Sequence, residues 1–114
     1  METIIYLNFD WDREKAKLYK IKHGISFKTA TAVFDDPNRL DLPDDEHSFN
    51  EERRKVIGMV DDILFVIYTE RRDKIRLISA RLAEENERRD YYEYGGFGIL
   101  HEENWRTIDG GGKS

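Results

Sequence analysis

The chain has 114 residues, 39% hydrophobic and 38% charged, with a net charge of −5 and no cysteine. That length holds one modest core and not two domains, and the lack of thiols excludes a disulfide framework, a thiolate metal site and a cysteine nucleophile. The negative balance by itself argues against a generic nucleic-acid binder, which needs clustered Lys and Arg.

The charge is unevenly spread. Arg13, Lys15, Lys17, Lys20 and Lys22 outnumber Asp12 and Glu14 between Trp11 and His23, whereas Asp35 to Glu46 is strongly acidic. An acidic chain of this kind can hold a local basic surface and also offer an acidic one. The apolar run Ile4 to Leu7 is too short for a signal peptide or a membrane span, so a soluble, cytoplasmic protein with no membrane contact is expected.

In chain order, Thr3 to Phe9 reads as a first strand. Asp10 or Asp12 then caps a helix with Glu14 in its first turn and Gly24 past its end, whose buried side is expected to hold Trp11, Leu18 and Ile21 with Ala16 and Tyr19. A second helix, capped by Ser26, carries Phe27, Ala30, Val33 and Phe34 until Asp35, Asp36 and Pro37 stop it. Leu40 and Leu42 alternate with Arg39 and Asp41 in a short edge strand ending at Pro43. After a loop from Asp44 to Asn50, Val56 to Val60, Ile63 to Tyr68 and Ile75 to Ala80 read as strands with tight turns at Asp61-Asp62 and Arg72-Asp73, hence antiparallel neighbours. The continuous run Ile63 to Ile67 suits a central strand covered on both faces. A third helix is expected from Leu82 to Tyr92, with Glu84 and Arg88 paired four residues apart. Gly95-Gly96 breaks the pattern. This is an α+β arrangement in which helices pack on a small antiparallel sheet, with N-terminal helices and a closing C-terminal helix.

Charges recur along this ladder at Glu52-Arg53, Glu70-Arg71, Arg76 and Arg81. Ionic groups are costly in a core unless paired or facing an open site, and arginines gathered on one sheet suit a phosphate, whose oxygens the guanidinium fork matches bidentately.

The strings Phe9-Asp10-Trp11-Asp12, Lys15-Ala16, Lys22-His23-Gly24-Ile25-Ser26-Phe27, Val33-Phe34-Asp35-Asp36, His47 with Glu52-Arg53 and Gly58, Tyr68-Thr69-Glu70-Arg71, Ile78-Ser79-Ala80-Arg81, and Glu87-Arg88 with Tyr91 resemble the BrnT family of type II toxins. The resemblance covers Phe9 to Tyr91 in order. It implies a RelE-like ribonuclease fold, RNA cleavage that arrests translation, and a BrnA-type antitoxin that supplies the DNA-binding half of a hetero-oligomeric, autorepressing complex, so operator DNA is met only through the antitoxin. On this reading residues 1–94 form the toxin domain and residues 95–114 a C-terminal extension, partly docked or flexible, holding Phe97, Ile99, Leu100, Trp105 and Ile108. The alternative is a non-catalytic partner subunit that tunes the antitoxin's operator binding.

Metal-free RNA cleavage needs a proton acceptor for the 2′-hydroxyl, cations for the phosphorane and a proton donor for the leaving oxygen. Arg53, Arg76 and Arg81 are candidates for the cations, although each has carboxylate neighbours in sequence that would pair with it structurally. Strand parity puts Arg76 and Arg81 on opposite faces unless a bulge intervenes. Glu52 is a candidate base, and His23 and His47 are candidate proton carriers; their structural alternatives are a counter-ion, a helix cap and a surface loop. Lys15, Lys22 and Arg71 are candidates for holding RNA. Trp11 and Tyr68 are candidates for base stacking or for the core. Asp35, Asp36, Asp41, Asp44, Asp45, Glu46 and His47 match no calcium or zinc spacing, so neither metal nor cofactor is expected. The antitoxin is expected to present acidic and apolar residues to the helix from Arg13 to Lys22 and to the sheet arginines.

Overall fold

A computed structural model describes residues 2–48 and 50–96, and of His47 the backbone only. The expected first strand is instead a hairpin: Thr3–Tyr6 (β1) turns at Leu7 and Asn8 into Phe9–Asp12 (β2). Leu7 takes the left-handed region at φ 57°, a conformation unusual for its residue type, and the pairing of Ile4 with Trp11 and Tyr6 with Phe9 holds it there. A branched residue at a turn gives no compositional signal, which is why the segment reads as one strand.

Asp12 ends β2 and caps helix α1 (Arg13–His23), its Oδ2 accepting the Lys15 N–H at 2.9 Å, and Gly24 closes the helix at φ 74°, where a side chain would be strained. Ser26 caps α2 (Phe27–Ala30), which tightens after one turn into a 3-10 segment, Thr31–Asp35. Leu40–Pro43 is the edge strand β3. Then Arg54–Val60 (β4), Asp62–Arg71 (β5) and Lys74–Leu82 (β6) form the antiparallel meander, with Asp61 and Arg72 at positive φ in its turns. Because β6 runs through Leu82, the closing helix α3 starts later than expected, at Glu85–Tyr94. The Glu84 N–H donates to Glu87, and Arg88 pairs across to Asp62 at 2.8 Å in place of Glu84.

The six strands form one sheet in the order β1-β2-β6-β5-β4-β3. The sheet departs from the antiparallel expectation at one ladder: β2 runs parallel to β6, and the Ile75 N–H reaches the Asn8 carbonyl at 2.9 Å. The N-terminal hairpin thereby covers the β6 edge that the meander leaves unpaired.

Strand β5 is buried without interruption from Ile63 to Thr69. On one face Leu64, Val66 and Tyr68 pack with Phe9, Trp11, Phe27 and Val33 under α1, α2 and the 3-10 segment; on the other Ile63, Phe65 and Ile67 pack with Leu40, Ile57 and Tyr91 under α3. Helix α1 touches the first core through Ala16 and Tyr19 only. Leu18 and Ile21, expected in its buried side, are 54% and 83% exposed. Among the described residues no helix is long and apolar enough to cross a membrane. The Phe97, Ile99, Leu100, Trp105 and Ile108 expectation lies outside the described residues.

Two tethers fix α3. The Arg81 guanidinium donates to both Glu87 oxygens at 2.9 Å while lying 4.2 Å from the centre of the Phe65 ring. The Tyr91 hydroxyl donates to Asp36 Oδ2 at 2.6 Å, and the same carboxylate accepts the Met59 and Asn38 N–H groups at 2.8 Å each.

Burial raises the Glu87 carboxyl, but the Arg81 hydrogen bonds and the Glu84 N–H outweigh it and leave its pKa below the ordinary value of 4.5. A lowered folded pKa stabilises the protein above the unfolded value, and that contribution disappears as pH falls through the folded one. Glu87→Gln is therefore expected to lower stability at neutral pH by about 1–3 kcal/mol and to lose less stability than the wild type below pH 4.5, which denaturation across pH measures. At Gly58, a Cβ would sit 3.0 Å from Val33 Cβ and 3.1 Å from the Val33 carbonyl oxygen. Gly58→Ala must push the 3-10 segment off the sheet, and a loss of about 1–3 kcal/mol in chemical denaturation is expected.

Candidate active site: an arginine-lined cavity

The position of the charged residues is set by an irregularity in β6. Ile67 pairs with Ser79 and Tyr68 with Leu77, so Ile78 is an extra residue, a bulge. It cancels the parity that would separate Arg76 from Arg81: Arg76 lies opposite Thr69 and Arg81 opposite Phe65, and these two β5 residues share a face. Four β5 positions still separate them, about 13 Å at the usual rise per strand residue. Helix α3 occupies the Arg81 end of that face, packing on β3 and β4.

The other end holds a cavity of about 240 Å³ lined by Asp12, Lys15, Glu51, Arg53, Arg71 and Arg76 above the apolar Leu77 and Ile78. Arg53 enters it from the approach to β4. Its backbone is held at both ends, the N–H donating to Ser48 Oγ at 2.9 Å and the carbonyl accepting the Asp44 N–H at 2.9 Å. The buried Thr69 hydroxyl donates to the neighbouring Glu52 carbonyl at 2.7 Å and pins the same segment to β5. Among the described residues the Arg53 guanidinium has no ion-pair partner within 4.0 Å. Arg71, at the end of β5, grips Glu51 bidentately at 3.1 and 2.9 Å. Arg76 lies 3.6 Å from Asp10 and donates to Thr3 Oγ1 at 3.4 Å. Lys15 contributes from the first turn of α1.

Four cations thus line the cavity with two carboxylates, Glu51 and Asp12, while Asp10 stands beside Arg76 and Arg71. The Arg71 hydrogen bonds, with Arg53 and Arg76 nearby, hold the Glu51 carboxyl below its usual range. Asp12 is 9% exposed, and its buried Oδ1 has no hydrogen-bond partner among the described residues, so an acceptor lies in the wall beside the donors. Chemically, the cavity offers guanidinium forks to a phosphodiester and a carboxylate to a hydroxyl proton.

The structure gathers Arg53, Arg71, Arg76 and Lys15 here and leaves the other candidates outside. Arg81 is engaged by Glu87 and by the Leu82 carbonyl at 3.0 Å. His23 stacks on Tyr19, ring centres 5.6 Å apart, at the far end of α1 from Lys15, about 12 Å away by helical rise. Lys22 is exposed at that same end, and the Glu52 side chain is exposed and outside the cavity lining. The His47 backbone belongs to a 3-10 turn, Asp45–His47, and its side chain lies outside the described residues. Trp11 and Tyr68 are core aromatics, edge-on to Phe27 and Phe34, and the Tyr68 hydroxyl donates to Asp41. Glu51 and Asp12 were not read from the sequence as site residues. Glu51 had a signal: in an extended segment it shares a side with Arg53, two residues on, whereas Glu52 points away.

A larger concavity of about 640 Å³ lies between the 3-10 segment and α3, lined by Asp35, Asp36, Met59, Tyr91 and Tyr92. Among the described residues it presents no cation, and its central carboxylate, Asp36, is already satisfied. The cations therefore line the smaller cavity and not the larger one.

Comparison with known proteins gives the family of the chain. The crystal structure of the Brucella abortus ribonuclease toxin BrnT resembles this fold with a TM-score of 0.52 at 22% identity, covering 66% of this chain and 94% of that one. No curated protein sequence matches the chain. Residues 11–87 match the family described as the ribonuclease toxin BrnT of type II toxin-antitoxin systems, a span that contains every residue lining the basic cavity. The chain therefore belongs to the BrnT family of ribonuclease toxins, the toxin half of type II toxin-antitoxin systems.

Proposed function

We propose that the basic cavity is the RNA-cleaving site of a metal-independent endoribonuclease, built on a RelE-like plan and restrained by a BrnA-type antitoxin that alone contacts operator DNA. The observation that carries this reading is the Arg53 guanidinium, rigidly based and without an ion-pair partner among the described residues, in a cavity shared with Arg71, Arg76 and Lys15. A cation held in this way is preorganised for an anion that the free protein lacks.

The scissile phosphate takes the forks of Arg53 and Arg76, and in reaching Arg71 it displaces Glu51. Glu51, two-thirds buried and freed from its hydrogen bonds, accepts the 2′-hydroxyl proton. The 2′-oxygen bonds to phosphorus, the bond from phosphorus to the 5′-oxygen breaks, and the leaving oxygen takes a proton from His47 or from water. His47 is favoured over His23 because its turn is flanked by Asp44 and Ser48, both bonded to the Arg53 backbone. Arg81 supports the site indirectly by fixing α3.

Arg53→Ala is expected to lower RNA cleavage by about 10²–10³-fold and to abolish growth arrest while the circular dichroism spectrum and melting temperature stay at wild-type values. Arg81→Ala, in contrast, is expected to lose stability first. Cleavage should persist in excess EDTA and leave a 2′,3′-cyclic phosphate and a 5′-hydroxyl, identified by end-labelling. A 5′-phosphate product, or complete inhibition by EDTA, contradicts the mechanism.

A further inference from the structure

Helix α1 carries apolar residues that the fold leaves uncovered. Of its eleven residues none is fully buried, and Ile21 stands 83% exposed with Leu18 beside it at 54%. Ile21 forms one wall of a groove of about 510 Å³ between α1 and α2, whose floor is Trp11, Ala16 and Phe27. The rim is cationic: Lys17 and Lys20 rise from α1 and Lys28 from α2, and among the described residues no carboxylate lines the groove.

An apolar trough with three ammonium groups on its edges, in a chain of net charge −5, is a local inversion of the protein's own electrostatics. It complements a segment that is apolar on one side and flanked by carboxylates. Nucleic acid fits poorly, because the floor aromatics Trp11 and Phe27 are 5% and 1% exposed and offer no ring face for a base to stack on. A second copy of the chain would bring another cationic rim against the first.

The geometry points to this groove as the docking site of the antitoxin, entered by an amphipathic segment whose apolar side covers Ile21 and whose acidic residues meet Lys17, Lys20 and Lys28. This rests on the family's antitoxin partner and not on the chemistry proposed for the arginines. The groove and the basic cavity share no lining residue, and the consecutive β2 residues Trp11 and Asp12, which point to opposite sides of the strand, line one each. The groove contact is thus an anchor, distinct from whatever part of the antitoxin covers the arginines.

The test uses the full-length chain and the antitoxin of the adjoining reading frame, each purified separately and mixed in a binding titration at low and high salt. Ile21→Glu replaces an exposed side chain and is expected to fold normally, to keep RNA cleavage, and to bind the antitoxin at least tenfold more weakly. The triple variant Lys17→Glu, Lys20→Glu, Lys28→Glu should associate more slowly and lose most of the salt dependence of the wild-type rate. Wild-type affinity in both variants overturns the assignment. So does a wild-type chain that is dimeric alone and is made monomeric by Ile21→Glu, because the occupant is then a second copy. If the wild type fails to cleave RNA while Ile21→Glu still loses the antitoxin, the catalytic proposal falls and the docking site stands.

Discussion

Everything in this fold is arranged around a strand that water cannot touch. From Ile63 to Thr69 each β5 residue is buried on one face or the other, so both faces of the sheet require a covering layer. The first face has one in α1, α2 and the 3-10 segment. The second has only α3, whose ten residues cover the β3 and β4 end. The end left uncovered is where ionised groups carry the least desolvation cost, and there Arg53, Arg71 and Arg76 collect. The basic cavity thus lies at the part of a two-sided sheet that one short helix is too small to close.

Several of the remaining arginines are absorbed by structure. Arg81 is committed to Glu87, Arg88 to Asp62, and Arg13 to Glu2. Asp41, deep under the first face, is pushed up by burial, an effect only partly offset by the Tyr68 hydroxyl and by Arg54. What is left over near the basic cavity is positive although the whole chain is negative. Screening reconciles the two, because at physiological salt a phosphate feels charges within about 8 Å far more than the chain's total. Net acidity is therefore no obstacle to RNA chemistry confined to one cavity.

Helix α1 links the basic cavity to the apolar groove. Its first turn supplies Lys15 to the cavity and is capped by Asp12, whose other oxygen has no donor among the described residues; its outer side supplies the groove that Ile21 walls. A helix that only had to complete a core would turn Leu18 and Ile21 inward. Here Ala16 and Tyr19 suffice for packing, and the larger apolar side chains are left outside.

Local chemistry determined much of this protein before any fold was known. Gly24 and Ser26 mark helix ends by hydrogen bonds within three or four residues, with the first cap narrowed to Asp10 or Asp12, the run Ile63 to Ile67 suits a strand covered twice, and the short links at Asp61 and Arg72 imply a meander. The family too was legible, since its motifs are strings of neighbours. Tertiary structure decided what depends on residues far apart. The hairpin at Leu7 exists because β2 finds the β6 edge, a contact with no local signature. The bulge at Ile78 moved Arg76 to the face of Arg81, and α3 then separated their fates by placing Glu87 on one and leaving the other beside Arg53. The alternation of side chains along a strand is a local rule, but one inserted residue reverses it, and only the pairing of whole strands reveals where that residue lies.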